Sequence, residues 1–291
     1  MSLVDFILNL AGLLLWLNWR SLPLDPLSKA TPATLLGTLR RAEPSRVKRW
    51  HFLAALGALI LLRWPLYWLF GSALNWTASL DLVATRLAFP SDFKYPMLLY
   101  SVLSFALALA ILFLWLLLVS LLGRNESKQF FVQRLARLHL GRVDGWPLPL
   151  KLLLPFIAGT TLWWLFSWVL PSWGLMPHPA STLDRLGQAA LVGASAYVAW
   201  KYLLAGLFLL HLVNNYVYFG KHPLWSYIDT TSRQLLSPTA KLPLRVGKMD
   251  FAPVLGIVLI FLAARVAEQG IGLFGGYRIP GLTDLYRMLS H

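Results

Sequence analysis

The chain has 291 residues, of which 57% are hydrophobic and 14% aromatic, while only 13% are charged. This composition excludes an ordinary soluble domain and predicts an integral membrane protein. The lack of cysteine excludes disulfides, thiolate metal sites and cysteine nucleophiles. The net charge of +14 falls in loops between apolar runs, so orientation in a bilayer explains it better than binding to nucleic acid.

Six apolar stretches are each long enough to cross a bilayer as a helix, since about 20 residues rising 1.5 Å each cover roughly 30 Å of hydrocarbon. Backbone N–H and C=O groups have no hydrogen-bond partner in lipid, so each stretch is predicted to be helical. The first lacks a basic leader and a small-residue cleavage site, and we expect it to be retained as a span. The predicted spans are residues 4–19, 51–71, 95–122, 148–169, 186–216 and 251–270.

The loops between these spans alternate in charge. Lys and Arg outnumber Asp and Glu in 20–50, 123–147 and 221–250, whereas 72–94 and 171–185 are nearly neutral. The positive-inside rule therefore predicts that the three basic loops are cytoplasmic and that both chain termini face outward.

The expected fold class is all-α transmembrane, with about six spans in three helical hairpins. Each hairpin carries a basic amphipathic cytoplasmic loop or interfacial helix. The predicted divisions are hairpin 1 at 1–71, an outward connector at 72–94, hairpin 2 at 95–170, a second connector at 171–185, hairpin 3 at 186–274 and a C-terminal tail at 275–291.

The basic loops contain apolar stripes at helical spacing, such as Leu224, Trp225, Ile228 and Leu235. A short basic amphipathic helix beside a span is typical of the headgroup layer, where clustered Lys and Arg attract anionic lipid. The favoured partner is therefore the anionic headgroups of the cytoplasmic face, and the alternative is a docking surface for another protein. The candidate contact residues are Arg40, Arg41, Arg134, Arg137, Arg233 and Lys241.

Two loops end in the motif G-x-x-D-x-x-P just before a span, as Gly141, Asp144 and Pro147 and again as Gly247, Asp250 and Pro253. Glycine permits a left-handed turn, aspartate is a favoured N-cap, and proline is tolerated in the first helical turn. The motif thus predicts a capped helix start, and a chemical role for either aspartate is the alternative.

The third hairpin resembles a repeat of the YggT (YlmG-like) family. The matching positions are His222, Pro223, Thr231, Leu235, Pro238, Pro243, Arg245, Gly247, Asp250, Phe251, Ala252 and Pro253. The first hairpin resembles a more divergent copy, carried by Asp25-Pro26, Thr31-Pro32 and Arg40-Arg41. His222 and Ala252 stand where the family commonly has asparagine and serine.

This resemblance implies a multi-pass protein of the bacterial inner (plasma) membrane. Members of the family are linked to osmotic tolerance, to membrane or division-site organisation and, in plastids, to assembly of a b-type cytochrome. The resemblance supplies no catalytic residues.

Motifs for catalysis or cofactor binding were sought and are absent from the sequence. No two of the six histidines have i, i+4 spacing on one helix, so no metal site is predicted. We expect no enzyme activity and no cofactor. His211, inside the fifth span, is interpreted as a hydrogen-bonded histidine, with a haem shared with His51 as the alternative.

Arg63 and Lys201 lie well inside their spans, where cations are costly and by default functional. Neither has an acidic partner within its own span, so we expect snorkelling, a polar cavity or a partner chain.

Two hypotheses follow. The first is a non-enzymatic scaffold, accessory subunit or assembly factor that binds other membrane-protein subunits and lipid, but no nucleic acid. The second is a small transport or channel module linked to osmotic tolerance, in which Arg63 and Lys201, as unpaired cations, favour an anion.

Overall fold

A computed structural model describes residues 2–21, 49–74, 76–91, 94–122, 131–177, 179, 181–217, 223–237, 245–246, 249–272 and 278–290. The side chains of Arg134 and Arg245 lie outside this description. So do Arg40, Arg41, Pro238, Lys241, Pro243 and Gly247, together with the predictions made for them.

Within these residues the chain forms ten α-helices. They are α1 (Ser2–Ser21), α2 (Arg49–Ala73), α3 (Lys94–Leu122), α4 (Phe131–Leu140), α5 (Leu148–Val169), α6 (Thr182–Ser195), α7 (Trp200–Tyr216), α8 (Pro223–Leu236), α9 (Ala252–Gln269) and α10 (Leu282–Met288). A 3₁₀ turn at Ala196–Ala199 joins α6 to α7, and another at Gly141–Gly145 precedes α5.

In the part of the chain that the structure describes, six helices are long and apolar enough to cross a membrane, namely α1, α2, α3, α5, the continuous helical stretch α6–α7 and α9. Their positions agree with the six predicted spans to within a few residues, so a mainly helical, multi-pass membrane protein is confirmed. The α6–α7 stretch extends over Thr182–Tyr216, which is longer than the roughly 20 residues that a perpendicular span needs.

The described residues also include three short β-hairpins between helices, a feature that the all-α prediction did not include. They pair β1 (Thr77–Asp81) with β2 (Arg86–Pro90), β3 (Arg245–Val246) with β4 (Met249–Asp250), and β5 (Gly270–Gly272) with β6 (Arg278–Pro280). The first pair occupies the predicted outward connector, where alternate residues such as Leu80 and Leu87 are buried. Its turn is stabilised by the Asp81 carboxylate, which accepts a hydrogen bond from the Val83 N–H.

The described helices form two compact units, each packed around its own contacts. In the first unit α1 packs against α2 and the opening part of α3, beside a group of aromatic rings: Tyr67, Trp76, Phe89 and Tyr100. In the second unit α5 packs along α6, and α7 packs along α9.

The amphipathic helix α8 covers part of the second unit's core. Its Tyr227 and Ile228 are each 2% exposed and pack with Leu116 of α3 and Leu207 of α7. The apolar stripe predicted to lie against lipid is therefore partly covered by protein, because α8 folds back onto its own spans.

Helices α5 and α6 approach each other closely where Gly159 faces Gly193. A Cβ added to Gly159 would lie 2.9 Å from the Gly193 Cα, and one added to Gly193 would lie 2.6 Å from the Phe156 carbonyl oxygen. Small residues of this kind let helix backbones approach closely in a membrane, where van der Waals packing drives association.

We expect Gly193→Ala to destabilise the protein by about 1–3 kcal/mol, because its methyl group overlaps the backbone of α5. Gly206→Ala is the matched control, since no heavy atom lies within 4 Å of the Cβ position at Gly206. Thermal unfolding in mild detergent measures both variants. Equal unfolding temperatures would contradict the close approach of α5 and α6.

Candidate functional site

Arg63 is completely buried, and it lies at the centre of a polar cluster between three helices. Its Nη2 donates to Asp5 Oδ1 of α1 at 2.7 Å, and its Nη1 donates to Asn9 Oδ1 at 2.8 Å. Its Nε donates to the Tyr67 hydroxyl at 2.9 Å. We call Asp5, Asn9, Arg63, Tyr67 and Ser104 the Arg63 cluster.

The carboxylate of Asp5, like the guanidinium of Arg63, has several hydrogen-bond partners. The Tyr67 hydroxyl donates to Asp5 Oδ1 at 2.6 Å, and the Ser104 hydroxyl of α3 lies 3.1 Å from both carboxylate oxygens. Asn9 Nδ2 donates to Asp5 Oδ2 at 3.2 Å. The buried charge is thus compensated within the cluster, as a low-dielectric site requires.

Helical spacing brings these groups together. Asp5 and Asn9 are four residues apart on α1, and Arg63 and Tyr67 are four apart on α2, so each pair lies on one helix face. Gly12 continues the same face of α1, and a Cβ there would lie 2.7 Å from the Phe105 ring. The absence of a side chain at Gly12 therefore lets α1 lie close to α3.

The expectation that Arg63 snorkels outward or faces a polar cavity or a partner chain is wrong. Its partner is Asp5, in a different span of the same chain. The sequence showed an acid in the first span, but nothing along the chain indicated that α1 and α2 would place these two residues side by side.

We expect Arg63→Gln and Asp5→Asn each to cost about 3–5 kcal/mol, because each leaves the other charge buried without its partner. The double variant should lose less than the two single losses combined, since it removes both charges. Unfolding in detergent, analysed as a double-mutant cycle, measures the difference. Strict additivity would mean that the pair does not interact.

Lys201 of α7 forms an ion pair with Glu268 of α9. Its ammonium group also lies 5.1 Å from the centre of the Tyr202 ring, within range of a cation–π interaction. The side chains of Lys201 and Glu268 are 14% and 23% exposed. The hypothesis that Lys201 is an unpaired cation is therefore also wrong.

His211 of α7 is 4% exposed and faces α8. Its Nδ1 lies 3.1 Å from Asp229 Oδ1, and its Nε2 lies 3.5 Å from Asn215 Nδ2. Both ring nitrogens thus have polar neighbours, an arrangement that favours the hydrogen-bonded interpretation over haem ligation. Among the described residues, no group of three or more His, Asp or Glu side chains is arranged to hold a metal ion.

The same Asp229 holds the predicted contact residue Arg233, whose Nε lies 3.1 Å from Asp229 Oδ2. Arg233 is exposed on the outer side of α8. The motif residue Thr231 faces inward and is 1% exposed, so it packs against protein.

Asp144 does not cap α5, and the capping prediction is wrong at this position. It lies in the 3₁₀ turn, and the N-cap of α5 is Pro147. Gly141, which opens the turn, has the left-handed backbone (φ 56°) that its place in the motif suggests.

The Asp144 carboxylate instead joins three elements. The Ser120 hydroxyl of α3 donates to Asp144 Oδ1, Lys151 Nζ of α5 lies 3.7 Å from the same oxygen, and Arg137 Nε of α4 lies 3.1 Å from Oδ2. Partial burial raises the pKa of Asp144, but the hydrogen bonds from Ser120 and Arg137 and the charge of Lys151 outweigh it and hold the pKa below its ordinary value. We call these four residues the Asp144 cluster.

Ser120 and Lys151 also form a hydroxyl–amine pair, which raises the question of nucleophilic catalysis. Lys151 Nζ donates to the Ser120 oxygen at 2.8 Å, and the Ser120 proton points to Asp144. A lysine that acts as a general base must be neutral and must accept the serine proton. The observed arrangement is the reverse, so it favours a structural role.

Asp250 does act at the start of α9. Its Oδ1 accepts a hydrogen bond from the Ala252 N–H at 3.0 Å, from a position just before the N-cap residue Phe251. Pro253 lies in the first turn, where proline loses no hydrogen bond.

We expect Asp250→Asn to be mild and Asp250→Ala to cost about 1 kcal/mol, since the amide oxygen of asparagine can still accept from Ala252. Thermal unfolding in detergent and expression level measure the difference. If both variants lost function equally while remaining equally stable, Asp250 would instead have a chemical role.

Several residues of these clusters were missed by the sequence reasoning. Polar residues within or beside the apolar runs were the available signal, but spacing along the chain does not show which distant partners they meet. The missed residues are Asp5, Asn9, Ser104, Ser120, Lys151, Asp229 and Glu268.

Comparison with protein-family models, with curated proteins and with solved structures found no match for this chain.

Proposed function

We propose that the chain is a non-enzymatic scaffold, accessory subunit or assembly factor of a larger membrane complex. The observation that carries this proposal is the pairing of Arg63 with Asp5 and of Lys201 with Glu268 inside the chain. Because carboxylates of the same chain already neutralise these intramembrane cations, no transported anion is needed to balance their charge.

The exterior of the spans supports the same proposal. Within the most apolar segment of each helix, only 6% of α1 and 11% of α9 is buried inside the chain. Their remaining surfaces are large and apolar, so they are suited to contact with lipid or with the spans of a partner subunit.

The setting that we propose is the bacterial inner membrane, with the basic loops in the cytoplasm and both termini outside. This orientation rests on the charge alternation of the loops. We also propose that the spans form three hairpins whose loops contact anionic headgroups. Membership of the YggT family is part of the proposal and rests on the residues of the third hairpin.

The observation that supported the transport alternative no longer holds. It depended on Arg63 and Lys201 as unpaired cations able to attract an anion, and both have carboxylate partners. We therefore do not carry it further.

Affinity purification of the tagged chain from gently solubilised native membranes tests the proposal. We expect a partner membrane protein at a fixed ratio that survives size-exclusion chromatography. An unrelated six-span protein with the same tag and expression level is the control for non-specific capture.

A monodisperse chain without a partner would contradict a scaffold role. Chloride flux through reconstituted vesicles, above that of protein-free vesicles, would favour the transport alternative instead.

A further inference from the structure

The turn between α4 and α5 carries more positive charge than its own contacts neutralise. Arg137 and Lys151 share one carboxylate, that of Asp144, and Arg142 is a third cation on the 3₁₀ turn that contains Asp144. Lys151 is almost fully enclosed, with 10% of its side chain exposed, and it already balances the Asp144 charge.

Because Arg137 shares the Asp144 carboxylate with Lys151, its positive charge at the surface is only partly neutralised. Its Nε is held by Asp144, while 52% of the side chain is exposed. Arg142 is exposed on the 3₁₀ turn that follows α4, and no ion pair to it occurs among the described residues. Arg137 lies in the last turn of α4, so two guanidinium groups on adjoining elements can each donate hydrogen bonds to the oxygens of a phosphate.

The turn also lies at the boundary of an apolar surface. Trp146 is 43% exposed, and Leu148 and Leu150, at the start of span α5, are 39% and 49% exposed. Tryptophan is enriched at the level of the headgroups, and leucines exposed on a span contact acyl chains. Basic groups thus directly adjoin a surface suited to lipid tails.

From these observations we propose that Arg137 and Arg142 form a binding site for the phosphate of an anionic phospholipid, whose acyl chains lie along the first turns of α5. The inference deepens the proposed contact of the basic loops with anionic headgroups and rests on that part of the proposed function. Asp144 is a positioning residue here, because it holds Arg137 through Oδ2 while Ser120 and Lys151 fix Oδ1.

A defined site and a diffuse electrostatic attraction predict opposite results for Asp144→Ala, which removes both the charge and the acceptor oxygens. Removal of the carboxylate makes the turn more positive, so diffuse attraction alone would strengthen lipid binding. Loss of the acceptor that orients Arg137 would weaken binding at a defined site. The sign of the change therefore distinguishes the two.

The experiment measures binding of phosphatidylglycerol to the purified full chain by native mass spectrometry and by titration in phosphatidylcholine nanodiscs. We expect the double variant Arg137→Gln with Arg142→Gln to bind about tenfold or more weakly, since each basic group at a membrane surface contributes several-fold in affinity. The matched control is the double variant Arg86→Gln with Arg287→Gln, which removes two exposed cations that lie outside the three basic loops. It should change affinity much less.

A further double variant separates the geometry of the donors from their charge. Arg137→Lys with Arg142→Lys keeps the charge but loses the planar fork of donors, so we expect weaker binding than in the parent chain. This variant also keeps the proposal testable if the glutamine variants fail to fold, and unfolding temperature in detergent monitors folding throughout.

Unchanged binding in the lysine variant or tighter binding in Asp144→Ala would overturn the defined site. So would a loss in the control Arg86→Gln with Arg287→Gln that equals the loss in Arg137→Gln with Arg142→Gln. Inorganic phosphate added as a competitor tests the source of the ligand. Displacement of the lipid by phosphate at equal concentration would overturn a lipid site in favour of soluble phosphate.

Retention of the partner subunit, measured on the same variants, is an independent readout. If a variant loses lipid binding but retains the partner subunit, the substitution affects the headgroup site alone. A chain that binds lipid at this turn but has no partner would contradict the scaffold proposal and leave the lipid site standing.

Discussion

The cost of a charge in hydrocarbon is the constraint on which the rest of this structure depends. An ionised side chain inside a span requires an opposite charge or a full set of hydrogen bonds from another helix. Arg63 meets this requirement through Asp5, and Lys201 meets it through Glu268. The first pair joins α1 to α2, and the second joins α7 to α9, so in each case a long loop separates the two helices along the chain. The buried charges therefore determine helix neighbours more specifically than apolar packing can, because hydrocarbon chains are as apolar as the leucines that they contact.

Polar residues at the ends of the spans obey the same requirement, although their roles differ between similar motifs. Asp250 accepts a hydrogen bond from the first turn of α9, whereas Asp144 holds Arg137, Lys151 and the Ser120 hydroxyl. The difference arises because Lys151 lies four residues after the motif residue Pro147, and its ammonium group reaches back to Asp144. One sequence motif thus supports a helix start in one loop and a contact among three helices in the other.

Internal neutralisation also bears on function. Once the intramembrane cations are paired, much of the exterior of the spans is apolar, while the exposed Arg137 and Arg233 lie on the amphipathic helices α4 and α8. These features support the proposal that the chain holds other membrane components in place. Its contacts with them would involve the apolar faces of α1 and α9 within the bilayer, and arginines such as Arg137 at its surface. Both kinds of contact leave the buried ion pairs intact.

The sequence by itself determined the membrane class and the number and approximate limits of the six helices, because hydrocarbon forces every long apolar run to satisfy its own backbone. It also indicated Arg63 and Lys201 as residues that need an explanation. Only the tertiary structure decided that their partners are Asp5 and Glu268, that Asp144 joins helices instead of capping one, and that Ile228 packs on protein. Composition and local spacing determine whether a segment enters the membrane. The partners of a buried charge depend on which helices lie side by side, and this is a property of the whole chain.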